Sequence, residues 1–87
     1  MNKIKLKFYS DPGHGWVAVK RKIVYDMDLA GKITPYSYQR GQTVYLEEDL
    51  DANLLINSLR DRGIEIILLE KSTNKYSPIR SYDRFTV

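Results

Sequence analysis

At 87 residues, with an apolar fraction of 43% and aromatics at 11%, the chain has the length of one domain and the composition of a folded protein rather than a disordered one. It holds no cysteine, which excludes a disulfide framework and a thiolate metal site. No apolar run approaches the ~20 residues of a transmembrane helix or forms the unbroken core of a signal peptide, and a cytoplasmic setting is expected.

The net charge of +3 is unevenly spread: Met1 to Arg40 carries eight Lys/Arg against three Asp, and Gly41 to Val87 carries six against eight Asp/Glu. A basic half can meet a phosphate backbone or an acidic protein, or it can be a plain solvated surface.

Lys3 to Tyr9 alternates charged and apolar residues, the period of a half-buried strand with Ile4, Leu6 and Phe8 inward. Its lysine-lined outer face suits an edge strand. Ser10-Asp11-Pro12-Gly13-His14-Gly15 is turn chemistry, with two glycines that permit positive φ, and Trp16 to Val19 reads as the returning strand of a hairpin. Lys20 to Leu29 is read as a short helix, with Ile23, Met27 and Ala30 on one face and Gly31 as its stop; a strand through Lys22 to Tyr25 is the alternative.

Thr34 to Tyr38 is too proline-interrupted for a central strand. Arg40-Gly41 marks a turn, and Gln42 to Leu46 is β-branched and aromatic, hence a strand. Glu47 to Arg62 is the long helix. Acidic residues crowd its start and Arg60 and Arg62 its end, as the helix dipole favours, with Leu50, Leu54, Leu55 and Leu59 as its apolar stripe and Gly63 as its left-handed stop. Ile64 to Glu70 suits a well-buried strand. Ile79 to Val87 gives a last strand or an ordered tail. The whole is a single α+β domain over residues 1–87: a small antiparallel sheet with one long and one short helix on one face, ordered β-β-α-β-β-α-β with a possible extra C-terminal strand.

Three features could carry chemistry. In the loop from Tyr9 to Trp16, His14 is the only histidine, Asp11 is near enough in sequence to orient it, and Tyr9 and Trp16 flank it. The plainer reading is an Asx turn at Asp11, a core Trp16 and a bystander His14. Tyr36, Tyr38 and Tyr45 with Arg40 could stack bases, form a protein-binding hot spot, or only cover the core. Arg80, Tyr82 and Arg84 alternate, so one strand face would show cations beside an aromatic. The acidic cluster Glu47-Glu48-Asp49-Asp51 lacks calcium-loop spacing, one His with one Asp is too few for zinc, and no catalytic or dinucleotide motif is present. No metal and no cofactor are expected.

The stretches Phe8-Tyr9-Ser10-Asp11-Pro12-Gly13-His14-Gly15-Trp16, Tyr36-Ser37-Tyr38-Gln39-Arg40-Gly41 and Val44-Tyr45-Leu46-Glu47-Glu48-Asp49 resemble a group of short, uncharacterised proteins encoded by tailed bacteriophages. The likeness runs from Phe8 to about Asp83. It implies synthesis in an infected bacterial cytoplasm and an accessory protein that works by binding, for instance as a host-takeover or anti-defence inhibitor. Mild basicity argues against mimicry of DNA.

The leading expectation is therefore non-catalytic binding of a host or phage macromolecule through Tyr9, Asp11, His14, Trp16, Tyr36, Tyr38, Arg40, Arg80 and Tyr82. The alternative is nucleic-acid binding through Lys5, Lys7, Lys20, Arg21, Lys22 and Arg40. A third reading is a small enzyme or nucleotide-binding protein using His14 and Asp11. No membrane partner is expected, and the oligomeric state is left open.

Overall fold

The computed structural model describes residues 2–87. Strands β1 (Lys3–Ser10) and β2 (Gly15–Lys20) form an antiparallel hairpin. Helix α1 (Arg21–Asp26) and a 3-10 turn (Ala30–Lys32) lead to a second hairpin, β3 (Tyr38–Arg40) and β4 (Thr43–Glu47). Helix α2 (Asp51–Asp61), strand β5 (Glu65–Ser72), a second 3-10 turn (Pro78–Ser81) and the two-residue strand β6 (Asp83–Arg84) complete the chain. The α+β order is thus β-β-α-β-β-α-β-β, with the optional C-terminal strand present.

The sheet runs β5-β1-β2-β4-β3-β6. Every neighbouring pair is antiparallel except β1 and β5, which are parallel. β4, α2 and β5 therefore form a crossover that passes over β2 and β1. β4 and β5 run in the same direction, and two like-directed strands of one sheet need such a crossover, which α2 supplies.

Both helices cover the same face. Leu6, Val17, Val19, Val44 and Leu46 alternate inward along three strands and pack beneath Val24 of α1 and Ala52, Leu55 and Leu59 of α2, with Phe85 closing the cluster. Each fully buried aliphatic side chain contributes about 1.5–3 kcal/mol relative to exposure. The opposite face carries Lys5, Lys7, Tyr9, Trp16, Ala18, Lys20, Tyr45, Tyr38, Arg40 and Arg84, by the same alternation and register.

Several boundaries differ from the sequence reading. β1 is an interior strand, and β5, expected to be well buried, is the sheet edge, with Leu68 and Leu69 at 42% and 41% exposure. α1 ends at Asp26, where Asp28 takes a left-handed φ of 59°, and Gly31 falls inside the 3-10 turn instead of stopping the helix. α2 begins at Asp51 instead of Glu47, so Leu50 is outside the helix and exposed, not part of its stripe. The acidic cluster is divided by this. Glu47 ends β4 and its carboxylate accepts the amides of Asp49 and Leu50. Asp51 turns inward, accepting the Thr34 amide, the Thr34 hydroxyl and the Ser37 hydroxyl.

The far end of α2 matches expectation. Gly63 has φ 72°, its amide reaches the Arg60 carbonyl, and the Ile64 amide reaches the Leu59 carbonyl, the double bond of a Schellman stop.

Candidate functional site

The site grows from the β1–β2 loop. The Asp11 amide donates to the His14 carbonyl, and Oδ1 of Asp11 accepts the amides of Gly13 and His14, each at 3.0 Å. This is the Asx turn that the composition suggests. The glycines serve it sterically, since neither has positive φ. A Cβ on Gly15 would stand 2.5 Å from the Phe8 ring and 2.7 Å from a Glu48 carboxylate oxygen.

The same carboxylate reaches across the chain. Arg80 donates from Nε to Oδ2 at 2.6 Å and from Nη2 to Oδ1 at 2.8 Å, and the Ser77 amide donates to Oδ2 at 3.0 Å. This ion pair pins the Pro78–Ser81 turn, itself capped by the Ser77 hydroxyl, onto the sheet face that lacks helices. The Arg80 guanidinium beside Asp11 holds its carboxyl well below the usual carboxylate range, against the opposing effect of burial, and Asp11 in turn raises Arg80.

Above the ion pair sits an aromatic layer. The Arg80 guanidinium lies 5.6 Å from the Trp16 ring and 4.4 Å from the Tyr76 ring. Trp16 is 2% exposed, with Tyr38 edge-on at 6.2 Å and the His14 ring at 6.2 Å. Arg84 covers Tyr38 at 5.3 Å and donates to the Pro35 carbonyl. Trp16 and Ile79 are buried outside the helix-covered core, so the C-terminal segment builds a small second core of its own.

Around this layer opens a groove of about 540 Å3. Trp16, Tyr38 and Arg80 form its floor, and His14, Tyr36, Leu50, Arg84, Glu47 and Asp49 its rim. A second hollow of about 290 Å3 lies on the other side of the 3-10 turn and includes Tyr9, Tyr45, Lys71, Ile79 and Tyr82. The Tyr45 ring packs at a tilt against Tyr82 at 5.2 Å and Tyr9 at 6.2 Å; its hydroxyl pKa is raised, mainly by burial.

Of the residues that the sequence singles out, His14, Trp16, Tyr36, Tyr38 and Arg80 meet in the groove, with Asp11 buried beneath. Tyr9 and Tyr82 line the second hollow, and Arg40 lies over Tyr82 at 4.9 Å, outside the groove. Arg80, Tyr82 and Arg84 do not share one strand face, because Arg80 belongs to the 3-10 turn and only Asp83–Arg84 is strand. Each still reaches a different aromatic on the open face.

In the basic set, Lys5, Lys7, Lys20 and Arg40 are exposed on that face. Arg21 and Lys22 belong to α1: Arg21 bonds Gln39 and the Thr86 carbonyl, and Lys22 pairs with Asp26. Asp11 makes no bond to the His14 imidazole, and five N–H donors already occupy its oxygens.

Glu47 and Asp49, read from the sequence as helix-start acids, and Leu50, read as core, line the groove, while Tyr76 and Ser77 are not singled out by the sequence. Their signals are local and generic, and only the crossing of the open face by residues 73–82 gives Tyr76 and Ser77 a role. Among the described residues, no group of three His, Cys, Asp or Glu side chains could hold a metal ion, and no helix is long and apolar enough to cross a membrane.

Compared with protein-family models, curated proteins and solved structures, the chain finds no match in any of the three.

Proposed function

We propose that this chain acts by non-catalytic binding, with the groove receiving a segment of a partner protein. The observation that carries this reading is an exposed apolar rim on a fixed floor. Tyr36 and Leu50 stand 67% and 58% exposed at the groove edge, while Trp16 beneath them is held in place by Arg80 and Tyr38. Aromatic and arginine side chains on a rigid support are the composition of binding hot spots. A pre-ordered floor also lowers the entropy lost on association.

The rim carries both signs, Arg84 against Glu47 and Asp49. A polypeptide can answer both signs, whereas a phosphodiester would be repelled by the two carboxylates. Asp11 favours this reading over the enzyme alternative, since a carboxylate whose two oxygens already accept five N–H donors is a poor proton acceptor for His14. The resemblance to phage proteins supplies the setting, a host or phage target in an infected bacterial cytoplasm.

The test is affinity capture from infected lysate, after nuclease treatment, by wild type and by a Tyr36→Ala/Leu50→Ala double variant. Both residues are exposed, so the fold should survive. Trp16→Ala is a poor probe, because removing a buried tryptophan costs about 3–5 kcal/mol. A protein held by wild type and lost by the double variant supports the reading.

A second reading rests on one observation: Lys5, Lys7, Lys20 and Arg40 project from the same sheet face as Tyr45 and Tyr38. That face would take a single-stranded nucleic acid, cations to phosphates and rings to bases. Four phosphate contacts predict that log affinity for an oligonucleotide falls with log salt at a slope of about −3. A flat salt response removes this reading.

A further inference from the structure

We propose that β5 is a dimerisation edge, along which two copies of this chain join antiparallel into one continuous sheet with Leu68 opposite the partner's Leu68. The surface is separate from the groove.

β5 is outermost in the sheet and pairs on one side only, in an unbroken register of eight residues with β1. It contains no proline, and Ile66-Ile67-Leu68-Leu69 holds no charge to guard the open side. Leu68 and Leu69 are 42% and 41% exposed. The opposite sheet edge, β6, has only two residues and offers little to pair with.

The backbone fixes which residues can bond outward. The amides of Glu65 and Thr73 point to β1, donating to the Asn2 and Ser10 carbonyls. Backbone groups alternate along a strand, so the odd-numbered residues bond β1 and Ile66, Leu68, Glu70 and Ser72 present N–H and C=O to the outside.

Edge-to-edge antiparallel pairing of identical strands requires a two-fold axis normal to the sheet, which closes the assembly as a dimer. With that axis at Leu68, the hydrogen-bonded pairs are Leu68 with the partner's Leu68 and Ile66 with the partner's Glu70. The non-hydrogen-bonded pairs, in which side chains approach more closely, are Ile67 with the partner's Leu69 and Glu65 with the partner's Lys71. Apolar residues then meet at the centre and opposite charges meet twice, at the two ends. Moving the pairing by two residues either way sets Glu65 against the partner's Leu69 or the partner's Thr73, and the charge match is lost. Among these three registers, the Glu65–Lys71 charge match occurs only with the axis at Leu68.

Two experiments on the full chain test it. Sedimentation over a concentration series should show wild type moving from 10.2 kDa to twice that mass. Glu65→Lys and Lys71→Glu, each placing like charges opposite, should weaken association tenfold or more, and the double swap should return it to within about threefold of wild type. Because the chain has no cysteine, Leu68→Cys can form only an intermolecular disulfide, and a hydrogen-bonded antiparallel pair has the ~5.5 Å Cα separation that such a bond accepts. Mild oxidation should cross-link Leu68→Cys at least ten times faster than Glu65→Cys. Wild type that stays at 10.2 kDa to millimolar concentration overturns the proposal, and equal cross-linking of the two cysteine variants overturns the register.

Discussion

Asp11 links a local turn to a distant segment of chain. Its two oxygens accept three backbone amides and both donors of one arginine edge, so an amide or a shorter cation at either position breaks the geometry. Lysine cannot reproduce the fork of Arg80 or its stacking between Trp16 and Tyr76. We expect Arg80→Lys and Asp11→Asn each to lower the melting midpoint by roughly 10 °C, on the scale of about 4–8 °C per kcal/mol for a domain of this size, read by circular dichroism. The pH dependence follows from the depressed Asp11 carboxyl. A group whose folded pKa lies below its unfolded value of about 3.9 stabilises the fold fully above that value. The contribution is lost as pH falls through 4 toward the folded value. Wild type should therefore lose stability steeply between pH 5 and pH 2, and Asp11→Asn should show a flatter profile over the same window; parallel profiles would remove Asp11 from acid unfolding. The Asx turn itself was legible from Asp-Pro-Gly-His-Gly. The partner Arg80, 69 positions away, was not, because nothing local marks which arginine a carboxylate will meet.

The end of α2 is legible from local chemistry, whereas the end of α1, expected at Gly31 and found at Asp26, and the start of α2 are not. Gly63 announced the stop of α2, and its φ of 72° bears this out. Gly63→Ala should cost about 1 kcal/mol, measured as a drop in urea midpoint with an unchanged slope. The start of α2 lies at Asp51, four residues beyond the expected Glu47. Four acidic residues look like a helix N-terminus, but Glu47 is kept in β4 by pairing with Trp16, and Asp51 is drawn inward by Thr34 and Ser37. Asp51→Ala would leave the buried Ser37 hydroxyl without that acceptor, at a cost of about 1–3 kcal/mol. Retained stability in that variant would mean that the Thr34–Ser37 loop is fixed by other contacts. Leu50 shows the same lesson in reverse. Its heptad-like spacing from Leu54 promised core, whereas its place ahead of the helix leaves it on the groove rim.

At the scale of the whole molecule, the sheet has two unlike faces. One is closed by both helices and supplies the main core. The other is closed only in part, where residues 73–82 cross it and Asp11 pins them down, leaving a hollow on each side of the crossing. The charge asymmetry visible along the sequence becomes an asymmetry in space, because strict alternation in β1 sends Lys5 and Lys7 to the open face. Strand order was beyond the sequence: hairpin turns imply antiparallel neighbours, and the parallel β1–β5 pair arises from a crossover whose landing site no local signal gives. The open face is thus the surface with free area, exposed aromatics and a rigid support, and the groove is the larger of the two hollows beside the crossing.

The measurement that bears most directly on the binding reading compares wild type and the Tyr36→Ala/Leu50→Ala variant as bait in the same nuclease-treated infected lysate, with every retained protein quantified. The account predicts at least one protein enriched by wild type and reduced tenfold or more by the variant, with both baits melting at the same temperature. Identical sets retained by the two baits would contradict it.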